Sequence, residues 1–244
     1  MSSTHSNSNL IRIKRHLGAF FYGQKVAYKY SMNHLFYPTN FKLSEEATAW
    51  VIDKFQHRFT KNFNHNLDLA LTQQQWRNGP AGKELLNFLS QYNCDTSTLI
   101  IGAQIANNKN DTMMRPHIDS YRELDADDND FLELKNTRFN VFVLGTPEDE
   151  IYWWSTINHD DSRLIEKKTI SPISQRTFKT MWVPGNTNRE QIDYLGPHDY
   201  SASYATIPSA FLRTDCIHTL KLSKGPRLLV SVAFDKPLAE IINL

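Results

Sequence analysis

From residue 97 to residue 235 the chain is a succession of short β-type runs, and this texture restricts its fold more than any other feature. The runs cover 97–105, 113–121, 138–145, 149–157, 175–183, 202–208, 215–222 and 226–235, and turn-forming segments such as Pro184-Gly185-Asn186 and Ser223-Lys224-Gly225-Pro226 separate them. Ahead of them the spacing predicts two helices. Over 44–58, Ser44 is a capping residue, Glu45 and Glu46 suit the positive end, and Ala47, Val51, Ile52 and Phe55 form an apolar stripe. Over 81–92, Leu85, Leu86, Phe88 and Leu89 cluster after Pro80. Short strands behind a helical part predict a mainly β protein with N-terminal helices (α+β), a sandwich or jelly roll buttressed by helices. No internal repeat or linker is present. The expectation is one domain over 10–244, with helical support about 10–95 and a β core about 97–235, behind a disordered start of residues 1–9.

At 244 residues the chain is long enough to bury a proper core, and 27 Lys and Arg against 26 Asp and Glu give no support to a general nucleic-acid role. The charge is uneven: residues 1–44 hold six Lys or Arg and no acid. Arg12, Lys14 and Arg15 suit a transit peptide, but Phe20, Phe21, Tyr22, Tyr28, Tyr30, Phe36, Tyr37 and Phe41 read as packing positions. No apolar run approaches the roughly 20 residues needed to span a bilayer, so no membrane role is expected. Two cysteines, Cys94 and Cys216, build neither a disulfide framework nor a zinc finger, and a reducing, cytoplasmic setting is the default.

The triplet His117-Ile118-Asp119, followed by His218 and Arg227, carries the chemistry. Two imidazoles and one carboxylate suit a non-haem Fe(II) site with adjacent open positions. On a strand, residues i and i+2 share a face, so His117 and Asp119 can grip one ion while Ile118 packs behind. If the turn at 223–226 joins a simple hairpin, His218 faces Ser231, and Arg227 lies on His218's face four residues away, roughly 13 Å. A guanidinium among Leu228, Leu229 and Val230 needs an anion, and a diacid could supply it. The bland alternative is an incidental triplet, since nine histidines are present and a lone strand histidine is more often structural.

His117, Asp119, His218 and Arg227 resemble the HxD…H…R pattern of the Fe(II)/2-oxoglutarate-dependent oxygenases, over roughly residues 97–235. The resemblance implies a double-stranded β-helix (jelly-roll, cupin-like) core. It implies iron on His117, Asp119 and His218, with Arg227 on the far carboxylate of 2-oxoglutarate. Many relatives carry a serine two residues beyond the arginine; here Leu229 stands there and Ser231 follows, so Ser231 joins the expected cofactor-binding set. Asn140 resembles a polar core-strand position that helps bind the keto acid. The implied reaction is O2-dependent hydroxylation of a small molecule or an amino-acid or peptide side chain, with 2-oxoglutarate decarboxylated to succinate. An intact Asp119 favours hydroxylation over halogenation. The alternatives are a cupin-like metalloenzyme that does not use 2-oxoglutarate, or a non-catalytic binding protein on the same fold.

Other polar groups read more plainly. Cys216 shares parity with His218 but is expected to be a buried apolar thiol. His159-Asp160-Asp161 and His198-Asp199 lie in turn-like surroundings, and Lys221 and Lys224 flank a polar turn. The acidic run Glu123, Asp125, Asp127, Asp128, Asp130, Glu133 lacks the glycine and glutamate of a calcium loop; it reads as a solvated loop, a lid that would attract a cationic substrate group. Alternation sends Trp153 and Trp154 to opposite faces.

Overall fold

The computed structural model describes residues 35–60, 63–68, 71–119, 122–125, 127, 130–133, 137–145, 149–170, 177–203, 207–234 and 236–243. The aromatic and basic positions before residue 35, and Asp128 of the acidic run, lie outside these residues.

Helix α1 (Glu45–Phe55) starts where Ser44 predicts, with the Ala47 N–H donating to Ser44 Oγ at 3.1 Å. Its stripe of Ala47, Val51 and Phe55 is buried. Helices α2 (Gln73–Asn78) and α3 (Pro80–Leu89) follow; α2 was not predicted, although Thr72 and Gln75 form a capping box legible as T-x-x-Q. The two helices meet so closely at Gly82 that a Cβ there would stand 1.9 Å from the Trp76 carbonyl oxygen.

The strands are β1 (Phe36–Thr39), β2 (Phe63–Asp68), β3 (Ile100–Asn108), β4 (Thr112–Met113), β5 (Arg122–Leu124), β6 (Asp130–Glu133) and β7 (Thr137–Leu144). Then come β8 (Glu150–Asn158), β9 (Ile165–Ile170), β10 (Thr177–Trp182), helix α4 (Asn188–Leu195), β11 (Tyr200–Ser203), β12 (Ser209–Arg213), β13 (Cys216–Leu222), β14 (Gly225–Phe234) and helix α5 (Leu238–Ile241). One sheet has the order β1-β12-β7-β14-β3-β2, a second β11-β8-β13-β4, and a third β6-β5-β10-β9, so the protein is mainly β with a helical layer.

Strand parity builds the layers. Leu228, Val230 and Val232 of β14, with Ile101, Ala103 and Ile105 of β3 and Phe139 and Val141 of β7, pack against Val51, Phe55, Trp76, Leu85 and Leu89 of the helices. The alternate residues Ala106, Ala210 and Leu212 point the other way, onto Ile151, Trp153, Leu220 and Leu222 of the second sheet. The outer face of that second sheet has its own core, where Ile118, Trp154, Met181, Val183 and Ile217 meet Leu195. Trp153 and Trp154 therefore do take opposite faces, and both are buried, in different cores.

Three expectations change. Strands β13 and β14 are not a simple hairpin: β13 pairs with β8 and β4, whereas β14 pairs with β3 and β7 in the facing sheet. The predicted 113–121 strand is broken, with β4 ending at Met113 and His117 making only isolated bridges, because Pro116 has no N–H for a ladder. The acidic run is a hairpin of β5 and β6 rather than an open loop, with Glu123 buried. Among the described residues no helix is long and apolar enough to cross a membrane.

Phe139 joins the helices to the large sheet: it is fully buried and its ring centroid lies 4.5 Å from Phe211 and 5.4 Å from Phe88. Phe139→Ala should lower the free energy of unfolding by about 3–5 kcal/mol, and Phe139→Leu by less, as urea denaturation will measure.

Candidate metal centre

The chain brings its site together through backbone pairing across about a hundred residues. His117 and His218 exchange two hydrogen bonds, each N–H donating to the other's carbonyl at 3.0 Å. On one side the Met114 N–H donates to Leu220 O at 2.8 Å, and on the other the Asp119 N–H donates to Thr214 O at 3.2 Å. The Thr219 hydroxyl reaches the Met114 carbonyl at 2.7 Å. Residues 114–119 are thus laced along β13 without forming a regular strand. Ile118 turns into the outer core, and His117, Asp119 and His218 converge with one ligand atom each, all within 4.8 Å of one another.

The protonation pattern suits a cation. Each imidazole places Nδ1 beside a carbonyl two residues earlier, His117 on Arg115 O at 2.8 Å and His218 on Cys216 O at 3.0 Å. A carbonyl only accepts, so both Nδ1 atoms carry the proton and both Nε2 lone pairs are left for the site. Burial, reinforced by His117, lowers His218 to about 4, so this ring is neutral at pH 7. Burial alone would raise the Asp119 carboxyl, but the Arg138 guanidinium and the two imidazoles outweigh it and hold the group below the usual carboxylate range. Burial pushes the Cys216 thiol up to about 12, and the side chain packs in the inter-sheet core, apart from the three converging ligand atoms.

Arg138, on β7 of the facing sheet, is the side chain that sequence reasoning passed over. Its Nε–H donates to Asp119 Oδ2 at 2.8 Å, while Asp119 Oδ1 faces His117 Nε2 at 3.7 Å. One carboxylate oxygen is tied back and the other is presented. The spacing Arg138-x-Asn140 held a clue, since both residues face inward on one strand. Arg138 and Asn140 line a cavity of about 210 Å³ with Gln104, Thr214 and the three candidate ligands. Asn140 is 3% exposed, and its Oδ1 is buried with no hydrogen-bond partner among the described residues. Gln104 reaches the Ser231 hydroxyl at 3.2 Å, so Ser231 stands one side chain behind the cavity wall.

Arg227 is also on the inner face, yet not among the cavity-lining side chains. Its Nε–H donates to Asp149 Oδ2 at 2.5 Å, and its guanidinium lies 5.4 Å from the Phe142 ring centre. Asp149 also accepts the Ser223 N–H at 2.9 Å. Both partners are buried. The anion that this guanidinium requires among aliphatic neighbours is present within the protein. The other polar groups singled out in the sequence are peripheral: Lys221 pairs with Glu150 at 3.2 Å, His159 lies beside Asp160, and His198 meets the Tyr152 ring edge-on.

No family model and no curated protein matches the chain. Among solved structures, apo HygX from Streptomyces hygroscopicus superposes with a TM-score of 0.42 at 14% identity, over 87% of this chain and 85% of that one. Iron-bound HygX gives 0.38 at 12%, and HygX with nickel and 2-oxoglutarate 0.39 at 12%, each with the same coverage. A likeness this low transfers neither fold nor activity.

Two substitutions test the site. Arg138→Ala should weaken Mn(II) binding about 10- to 100-fold, with partial recovery in Arg138→Lys, as isothermal titration will show. Asp149→Ala strands a buried guanidinium and should cost about 3–5 kcal/mol of stability; adding Arg227→Met should recover most of that in a double-mutant denaturation cycle.

Proposed function

We propose that this protein is an Fe(II)- and 2-oxoglutarate-dependent oxygenase built on a single jelly-roll domain. The observation that carries the reading is the convergence of His117, Asp119 and His218, with both Nδ1 atoms committed to carbonyls and one Asp119 oxygen tied to Arg138. Two imidazoles and a carboxylate on one side of an ion match the donor set of a non-haem iron centre and leave adjacent positions for other ligands. The topology supports the same reading. Strands β3, β7, β12 and β14 lie in one sheet and β4, β8, β11 and β13 in the facing one, so the chain crosses between sheets as a wound double strand would.

When bound, the iron would couple oxidation of a substrate C–H bond by O2 to conversion of 2-oxoglutarate into succinate and carbon dioxide. The protein's own groups would orient and enclose. Arg138 keeps Asp119 ionised and turned toward the ion, while His218 is held neutral by burial and ready to coordinate. Asn140 lines the cavity, where its amide N–H could donate to a keto-acid oxygen, and the cavity's size suits a five-carbon diacid better than a large substrate. Asn140, Ser231 and Arg227 are the expected cosubstrate contacts; the far carboxylate would join or displace Asp149 at Arg227. Hydroxylation of a small molecule or an amino-acid or peptide side chain is the expected outcome.

The Arg227–Asp149 pair favours a second reading, a cupin-like metalloenzyme that does not use the keto acid, because the guanidinium already holds a carboxylate. Anaerobic titration separates the two. Adding 2-oxoglutarate to Fe(II)-loaded protein should give a weak visible charge-transfer band, absent in His218→Ala and needing more cosubstrate in Arg227→Met. Fe(II) binding without the band would favour the second reading, and failure to bind Fe(II) would eliminate both.

A further inference from the structure

The face of the sheet that carries the two histidines continues beyond them. His117 bridges backbone-to-backbone with Trp182 at the end of β10 as well as with His218, so side chains at 218, 117 and 182 point to the same side. Parity extends that side to Arg115 on the chain segment and to Thr180, Lys167 and Thr169 on the β10–β9 pair, where Trp182 faces Ile165 and Lys167 is its diagonal neighbour. The opposite side holds Met181 in the outer core and the Lys179–Glu166 pair.

On this face two cations share one ring. The Lys167 ammonium stands 3.9 Å from the Trp182 ring centre and the Arg115 guanidinium 4.9 Å. The indole is 36% exposed, and its Nε1–H is fixed to Thr180 Oγ1 at 3.2 Å, which itself donates to the Lys167 carbonyl. Neither cation forms an ion pair with a carboxylate among the described residues. Among the described residues two acids on that side are accounted for. Asp119 is held by Arg138, and Glu123 is buried opposite Phe178, four residues along β10 from Trp182, or roughly 13 Å. A cation on an exposed ring gains only about 0.5–1 kcal/mol, so the ring alone holds neither charge firmly. A single anion at the ring edge, within reach of both, would gain charge-assisted contacts to side chains that the ring has already ordered.

We propose that Arg115, Lys167 and Trp182 form a subsite for an anionic group, a carboxylate or a phosphate, at the rim of the candidate metal centre. The anion belongs to the substrate, an assignment that rests on the oxygenase reading, whereas the anion site itself does not. The group to be oxidised would then lie one to two strand spacings away, about 5–10 Å, over His117 and His218. The substrate so defined is a small acid or phosphate ester, in place of the cationic group that the acidic run suggested.

The test uses the metal-free full chain with citrate and inorganic pyrophosphate as separate probes, followed by intrinsic tryptophan fluorescence, with Trp182→Phe identifying the reporting ring. Saturable binding of either anion is expected, and the tighter probe tells carboxylate from phosphate. Lys167→Glu and the double variant Arg115→Ala/Lys167→Ala should each weaken it about tenfold or more, the worth of one lost charge-assisted contact. His218→Ala should bind the anion as the parent does, even though it loses the metal. No saturable binding of either probe, unchanged binding in Lys167→Glu, or loss of binding in His218→Ala would overturn the subsite; circular dichroism of each variant confirms that the sheet is intact.

Discussion

The two backbone hydrogen bonds between His117 and His218 are the constraint on which the rest of the site depends. They set the ring centroids 4.6 Å apart, closer than two imidazoles would remain in water if both were protonated. Burial resolves that conflict on the His218 side by lowering its proton affinity, and the carbonyls of Arg115 and Cys216 settle which nitrogen keeps a proton. The loop this bridge closes is about a hundred residues long, but closure entropy grows only with the logarithm of length. Facing sheets that bury Ile151, Trp153, Leu220 and Leu222 between them offset such a cost readily. The site is therefore a by-product of sheet packing, with residues 114–119 held by carbonyls of β13 and of Thr214 rather than by a ladder of their own.

The inner face also holds two guanidinium–carboxylate pairs with different settings. Arg138–Asp119 borders the cavity, with the second carboxylate oxygen facing His117 Nε2. Arg227–Asp149 is sealed, with both side chains nearly inaccessible. A buried pair contributes little net stability relative to apolar side chains, yet removing one member is costly. For the sealed pair this makes Asp149 the carboxylate that balances the buried charge of Arg227. For the open pair the same arithmetic leaves Asp119 charged before any cation arrives, so that a cation would meet a carboxylate already desolvated in part and already oriented.

Periodicity made β3, β7, β8, β10, β13 and β14 legible from the sequence, while β1, β2, β9 and β12 fell outside the predicted runs. Parity, a local property, gave the triad as well: His117 and Asp119 on one side, Ile118 on the other, Trp153 and Trp154 back to back. The Ser44 cap and the stripe behind it were legible for the same reason. Pairing partners were not. Nothing local distinguishes a hairpin from a crossover at Ser223-Lys224-Gly225-Pro226, so β13 and β14 read as neighbours although they lie in facing sheets. The Arg138 contact was hidden by that same nonlocality, since β7 meets residue 119 only across the sandwich. Asp149 was hidden too, as the polar start of an apolar strand.

Sheet parity also explains why recognition and chemistry can share one surface. On the outer side of this layer Ile217, Ile118, Met181 and Val183 pack with Leu195 of α4, which rigidifies that part of it; the residues between them face the cavity and its rim. On such a layer, spacing between groups is set by strand separation, not by flexible loops, so a group held above Trp182 has a nearly fixed offset from one held above His117. An exposed indole with two cations in that register is hard to account for as packing alone, because the ring keeps 36% of its surface exposed and Lys167 beside it is exposed too. It is easier to account for as a surface organised for an incoming charge.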